Sequence, residues 1–256
     1  MTDFNKILLT AVFAVIGGII LIYAEEYVRQ NNSSYRDPVT DTLSIDTPPT
    51  PQSPPSPVVP PPSQTFDIKI NYVVRRKNTP QRAENIQLGE TLHFGDSYKI
   101  IFEPQQDAYI YIFQKGSSGN IFRLYPRDSW GETKLNLNNP VTAQQTYYVP
   151  TQQNSFILDT TAGTETFYLL AFSEKQHELE QTYNKMLAAA DATSAQKYRG
   201  QLEERIKTYR DPLITLSTDG EEGVTWTEEQ TRYEVVRQKL EDLCDACVNV
   251  FSFQHQ

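Results

Sequence analysis

Four patterns of apolar and polar positions follow one another along the chain. From Ile7 to Ala24 the run ILLTAVFAVIGGIILIYA holds eighteen positions without a charge. As a helix it extends ~27 Å at 1.5 Å per residue, close to the ~30 Å hydrocarbon core of a bilayer. Next comes a stretch with few apolar residues, in which nine of the fifteen positions from Pro48 to Pro62 are proline. Proline fixes φ and removes a donor, so this stretch predicts extended polyproline II instead of helix or ladder. From Phe66 the period becomes two: Phe66-Asp67-Ile68-Lys69-Ile70-Asn71-Tyr72 alternates as a half-buried strand does. Past Phe172 the apolar spacing lengthens to three and four, the mark of helices.

The alternating region predicts strands at 98–102, 108–114, 121–125, 146–149, 156–158 and 166–172. Turn signals separate them, among them Gly95-Asp96, Gly116 to Asn120, Pro126 and Asn138-Asn139-Pro140. Short strands at such spacing predict a sandwich or barrel. Ser173-Glu174-Lys175-Gln176 fits a capping box opening a helix to about Asp191, with Leu179, Tyr183, Met186, Leu187 and Ala190 as its apolar stripe. A second helix is expected from Ser194 to Tyr209, where Asp211-Pro212 stops it. Thr227-Glu228-Glu229-Gln230 reads as the opening of a third, with Tyr233, Val236, Leu240 and Leu243 on one face. Val248 to Phe253 then predicts a strand that rejoins the sheet. The fold class is therefore mainly β: an antiparallel sandwich-like domain with a helical insert, preceded by one transmembrane helix and a Pro-rich linker. The expected boundaries are 1–6 for a cytoplasmic N-terminus, 7–24 for the anchor, 25–65 for the linker and 66–256 for the domain, with the insert at 174–243.

Charge sets the orientation and narrows the partners. Lys6 precedes the apolar run while Glu25 and Glu26 follow it, which puts the N-terminus in the cytoplasm and exports the rest to a periplasmic or extracellular position. Ala24 also fits a signal-peptide cleavage site, so an uncleaved anchor and a cleaved leader both stand, with a buried soluble helix as a third reading. Each of the first two exports the domain. A net charge of −9 offers no field for displacing phosphate counterions, so no nucleic-acid partner is expected. The basic run Arg75-Arg76-Lys77 reads as a solvated turn, and the prolines read as a spacer more than as a ligand for an aromatic groove.

Chemistry-bearing patterns are sparse. The two cysteines, Cys244 and Cys247, are three residues apart behind an expected helix, which favours a local disulfide or inert thiols over a redox pair. His93, His177 and His255 have no ligand spacing, and Asp96, Asp107, Asp128 and Asp159 fall in turns, where aspartate bonds the backbone. No cofactor, metal or enzymatic activity is expected. Tyr109, Tyr111 and Trp130 form a candidate binding surface, although aromatic residues at such positions are more often core.

The stretch LHFGDSYKIIFEPQQDAYIYIFQKGSSGNIFRLYP, followed by YYVP and FILDTTAGTETFYLLAFSE, resembles the bacterial domain of unknown function numbered 4384 over about Leu92 to Ser173. Gly95-Asp96, Ser117-Ser118-Gly119, Leu124-Tyr125-Pro126, Tyr147 to Pro150 and Gly163-Thr164-Glu165 carry the resemblance. Gln144 stands where many members have glycine, and Arg127 where asparagine often follows the Leu-aromatic-Pro step. The resemblance implies an exported or surface module without an assigned reaction, and it supplies no catalytic residue. The expected function is a membrane-anchored envelope protein whose domain binds or scaffolds other proteins. A carbohydrate or small-molecule sensor and an envelope hydrolase are the alternatives.

Overall fold

The computed structural model describes residues 13–16, 19–22, 64–130, 133–134, 139–228 and 230–256. Within the apolar run only β1 (Phe13–Ile16) and β2 (Ile19–Ile22) are described, and they pair antiparallel with Phe13 opposite Ile22. These eight residues depart from the expected helix. Val15, Ile16, Ile19, Ile20 and Ile22 are β-branched and suit a ladder. The rest of the expected anchor, and the linker from 25 to 63, lie outside the described residues. Among the described residues no helix is long and apolar enough to cross a membrane.

The domain is built from β3 (Thr65–Arg75), β4 (Ala83–Asn85), β5 (Thr91–Leu92), β6 (Ser97–Pro104), β7 (Tyr109–Lys115), β8 (Ile121–Tyr125), a short β9 (Ser129–Trp130) and β10 (Thr133–Lys134) pair, β11 (Tyr147–Val149), β12 (Phe156–Ile157) and β13 (Gly163–Phe172). After these come α1 (His177–Leu187), α2 (Ala192–Thr208), β14 (Ser217–Glu228), β15 (Thr231–Cys244) and β16 (Cys247–His255). The first sheet runs β11-β6-β3-β15-β14, with β12 also on β6 and β4 also on β3; the second runs β5-β16-β13-β7-β8. Neighbours are antiparallel except β5 and β16, which are parallel. The strands expected from the period-two segments are all present, and the C-terminal strand joins the second sheet beside β13.

The two sheets bury their facing sides against each other. Alternate residues Phe66, Ile68, Ile70, Tyr72 and Val74 of β3 share one core with Phe167, Leu169 and Ala171 of β13 and with Phe251 and Phe253 of β16. Tyr72 stacks on Phe251 with ring centroids 3.9 Å apart. A buried polar chain also ties the layers: Tyr98 Oη donates to Gln114 Oε1 (3.0 Å), and Gln114 Nε2 donates to Glu165 Oε2 (2.7 Å). Burial raises the pKa of the Glu165 carboxyl, against the lowering pull of the Ser117 and Gln114 donors.

The helices cover the other face of the second sheet. Leu179, Tyr183, Leu202 and Ile206 pack on Tyr111, Phe113, Leu170, Phe172 and Val248. The expected capping box does not form. Ser173 donates its N–H (3.0 Å) and hydroxyl (2.7 Å) to Asp245 instead, and α1 opens at Gln176 with no side-chain cap. A long-range carboxylate at the β15–β16 turn has outcompeted the local motif. The second helix is capped by Asp191, which accepts from Ser194 N at 2.8 Å.

The expected third helix is a strand. Thr231–Cys244 is β15, paired with β14 from Glu228↔Thr231 onward. Tyr233 and Val235 are buried while Arg232 and Glu234 are exposed, a period of two, and Val236, which a helical stripe would bury, is 51% exposed. The helix-like spacing of Leu240 and Leu243 comes from a β-bulge between them, where Asp242 has φ 57°. The insert therefore comprises two helices followed by a hairpin, not three helices. At Gln144, where glycine is common in the family that the segment resembles, φ is 60°. The loop keeps a left-handed conformation without the residue best suited to it.

Candidate interaction surface

The predicted aromatic surface is divided by the fold. Tyr111 is fully buried beneath α1, where its hydroxyl donates to Glu180 Oε1 (2.8 Å) and accepts from Gln176 N (3.1 Å). Tyr109 is half-buried against the same cluster. The backbone of Trp130 lies in β9, and its side chain falls outside the described residues. A stacking platform on Tyr111 is thus closed. Strand alternation puts Tyr109 and Tyr111 on one face of β7, but nothing local to the strand shows that helices cover that face.

Cys244 and Cys247 are joined as a disulfide across the β15–β16 turn, with Cα atoms 5.2 Å apart. Asp96 accepts from Lys77 N (2.8 Å) and His93 N (3.0 Å), Asp107 from Ala143 N (2.8 Å) and Asp159 from Thr161 N (2.7 Å). Asp96 and Asp159 do the local backbone work expected of turn aspartates, while Asp107 ties its turn to a distant loop. Among the described residues no cluster of His, Cys, Asp or Glu is arranged to hold a metal ion.

The basic run is a solvated turn only at Lys77, which is exposed; Arg75 and Arg76 are half-buried and paired. Arg76 pairs with Glu90 and with Asp96 (3.3 Å). Arg75 enters a buried charge cluster that the sequence pattern did not reveal. The β14–β15 hairpin leaves β3 beyond Lys239 and crosses the outer face of the first sheet, where Val224, Trp226, Tyr233 and Val235 pack on Val73 and Ile101. At its end Glu228, 3% exposed, pairs with Arg75 Nη2 (2.6 Å) and with Lys99 Nζ, and accepts from Trp226 Nε1 (3.2 Å) and Ser155 Oγ (3.1 Å). Lys99 also donates to the Gln152 carbonyl at 2.7 Å. Burial pushes the Lys99 ammonium down to about 8, with Glu228 pulling the other way. Both cations share the one Glu228 carboxylate, so the cluster keeps one net positive charge while Lys99 is protonated, and its ion pairs fasten the hairpin to the sheet.

A different feature is open to a partner. In β16 the even-numbered residues turn their backbone groups away from β13, as alternation in an antiparallel ladder requires. Val248 N–H donates to Arg210 O (3.0 Å), Ser252 O accepts from Gly89 N (2.8 Å) and Gln254 N–H donates to Glu90 O (2.7 Å). Between these covers lie Val248 C=O, both backbone groups of Val250 and Ser252 N–H. Among the described residues none of the four has a backbone partner on that edge. Beside the gap is a slot of ≈ 140 Å³ whose walls are the segments 86–88 and 214–216, with Gln238, Asn249 and Phe251 also in its lining. Asn249 Nδ2 holds Ile214 O at 2.8 Å, and Ile86 N–H donates to Tyr72 O at 2.7 Å, so both walls are pinned. Leu88 is 64% exposed at the rim; Leu213, next in the chain to Ile214, is 82% exposed at φ 56°.

These features define a two-layer β domain with a helical cover and one interrupted sheet edge. Within it, residues 91–175 match the family described as a domain of unknown function (DUF4384). That stretch supplies β5 to β13, while β3, β14, β15 and β16, which complete the two sheets, lie outside it. No curated protein matches the chain, and no solved structure matches it.

Proposed function

We propose that this chain is a non-catalytic module of the bacterial envelope, anchored in the inner membrane by its N-terminal apolar run and contacting other proteins through its β domain. The interrupted β16 edge carries the reading. Exposed strand edges bind other chains readily, and this one combines four open backbone groups with a pinned, uncharged slot. The uncharged run at 7–24 and the Pro-rich linker support a tether. The bonded Cys244–Cys247 pair supports an oxidising compartment.

Topology is tested with a protease added to intact spheroplasts. The expected result is cleavage within 25–63 and release of a soluble fragment carrying the disulfide. A chain that becomes cleavable only after the membrane is broken would place the domain in the cytoplasm and end the export reading.

A further inference from the structure

We infer that the gap in the β16 edge receives an extended segment of a partner protein, which adds to the second sheet as a short strand. The inference deepens the binding reading above and rests on it. The chemistry of the gap selects this class of ligand. Val248 C=O, Val250 N–H, Val250 C=O and Ser252 N–H alternate acceptor and donor along one edge, over the four steps from Val248 to Ser252 or ~13 Å of strand. A peptide backbone presents the complementary alternation at the same repeat, which gives main-chain hydrogen bonds their affinity in strand addition. Arg210 and Gly89 hold the edge at either end. The guest therefore pairs over about three residues and turns away from the sheet on both sides.

The slot specifies the side chain that accompanies that backbone. A guest strand points alternate side chains to opposite faces of the sheet, and one of these faces is the slot between Ile86 and Leu216. Its ≈ 140 Å³ is close to a cavity of about 150 Å³ that accepts benzene, so it takes one branched aliphatic or aromatic side chain. None of the described lining residues is charged, although the chain carries a net charge of −9. A charged guest side chain would lose its hydration with no counter-ion to replace it. The occupant is thus an uncharged extended segment with one large apolar residue, flanked by contacts to the exposed Leu88.

The test uses the full chain in its own cells, with a photo-crosslinking amino acid replacing exposed Thr215 beside the slot or exposed Gln201 on α2. The expected Thr215 adduct joins another protein within an uncharged stretch holding a large apolar residue. Leu88→Asp, at an exposed rim position that the fold tolerates, lowers its yield at least tenfold. Hydrogen exchange at the Val250 amide slows at least tenfold in the partner-bound chain. Adducts from Gln201 alone overturn the strand-addition inference and leave the binding reading standing. No adduct from either position overturns both. A Thr215 adduct to a second copy, to residues 25–62 of the same chain, or to a charged helix of another protein also overturns the inference.

Discussion

At the scale of single residues, the buried triad of Arg75, Lys99 and Glu228 makes the clearest demands. Removing one member of a buried charge cluster leaves the others uncompensated, at a cost of about 3–5 kcal/mol. Glu228→Gln keeps the side-chain shape and an acceptor, so a loss of about 3 kcal/mol in urea-induced unfolding is expected. A loss below about 1 kcal/mol would mean that the cluster is hydrated in solution. Lys99 adds a pH dependence. Its folded value, about 8, lies below the ordinary lysine value of about 10.4. The stability linked to this group is therefore complete above the ordinary value and is lost as pH falls through about 8. Relative to Lys99→Met, the natural protein gains stability as pH is raised from 8 to 10, and a flat difference would show that Lys99 titrates normally. The sequence displayed these charges only as separate points. Arg75 and Glu228 are far apart along the chain, and only the crossing of the hairpin brings them together.

At the scale of elements, local pattern served well where an element obeyed one period and poorly where a defect broke the period. The β3 strand alternates in burial from Thr65 to Ile70, whereas Ile70 to Val74 are all buried because the hairpin covers the outer face at Val73. In β15 a bulge inserts an extra residue, so Leu240 and Leu243 reproduce a helical spacing inside a strand. The aromatic strand β7 shows the opposite limit. Its existence is legible, but which of its faces becomes a surface depends on α1, some seventy residues further on. The β15–β16 turn gives a measurable consequence at this scale. Its disulfide closes a loop of only four residues, for which the chain-entropy relation gives about 2 kcal/mol at most. Reduction, or replacement of Cys244 and Cys247 by serine, should lower the urea midpoint modestly and leave far-ultraviolet circular dichroism unchanged. Complete unfolding on reduction would show that the bond also supports native packing.

At the scale of the whole molecule, the core is rich in tyrosine. Burial raises the pKa of Tyr72, Tyr98, Tyr111 and Tyr125 well above the ordinary tyrosine value. Groups raised in the folded state contribute stability that is complete below the unfolded value, about 10, and is lost as pH rises above it. Alkaline titration should therefore show these phenols ionising together with loss of the fold, read by tyrosinate absorbance and circular dichroism in parallel. Early ionisation with the fold intact would mean that water reaches the inter-sheet core. The same scale explains the family match. Residues 91–175 provide strands to both sheets, yet β3 at the centre of the first sheet and β16 beside β13 in the second come from outside that stretch. The matched segment in this chain is closed by partners that the match does not include.

Local pattern accounts for the alternating strands, the two helices, the turn aspartates Asp96 and Asp159, and the presence of a C-terminal strand. Each of these is set by neighbours within a few residues, through backbone period and side-chain-to-backbone bonds. Long-range packing, by contrast, makes Thr231–Cys244 a strand, buries Tyr111 and sets Glu228 between Arg75 and Lys99. It also decided that the β16 edge is covered at both ends and open at Val250. Burial, charge pairing and edge coverage depend on which distant segment arrives, and short-range periodicity carries no record of that.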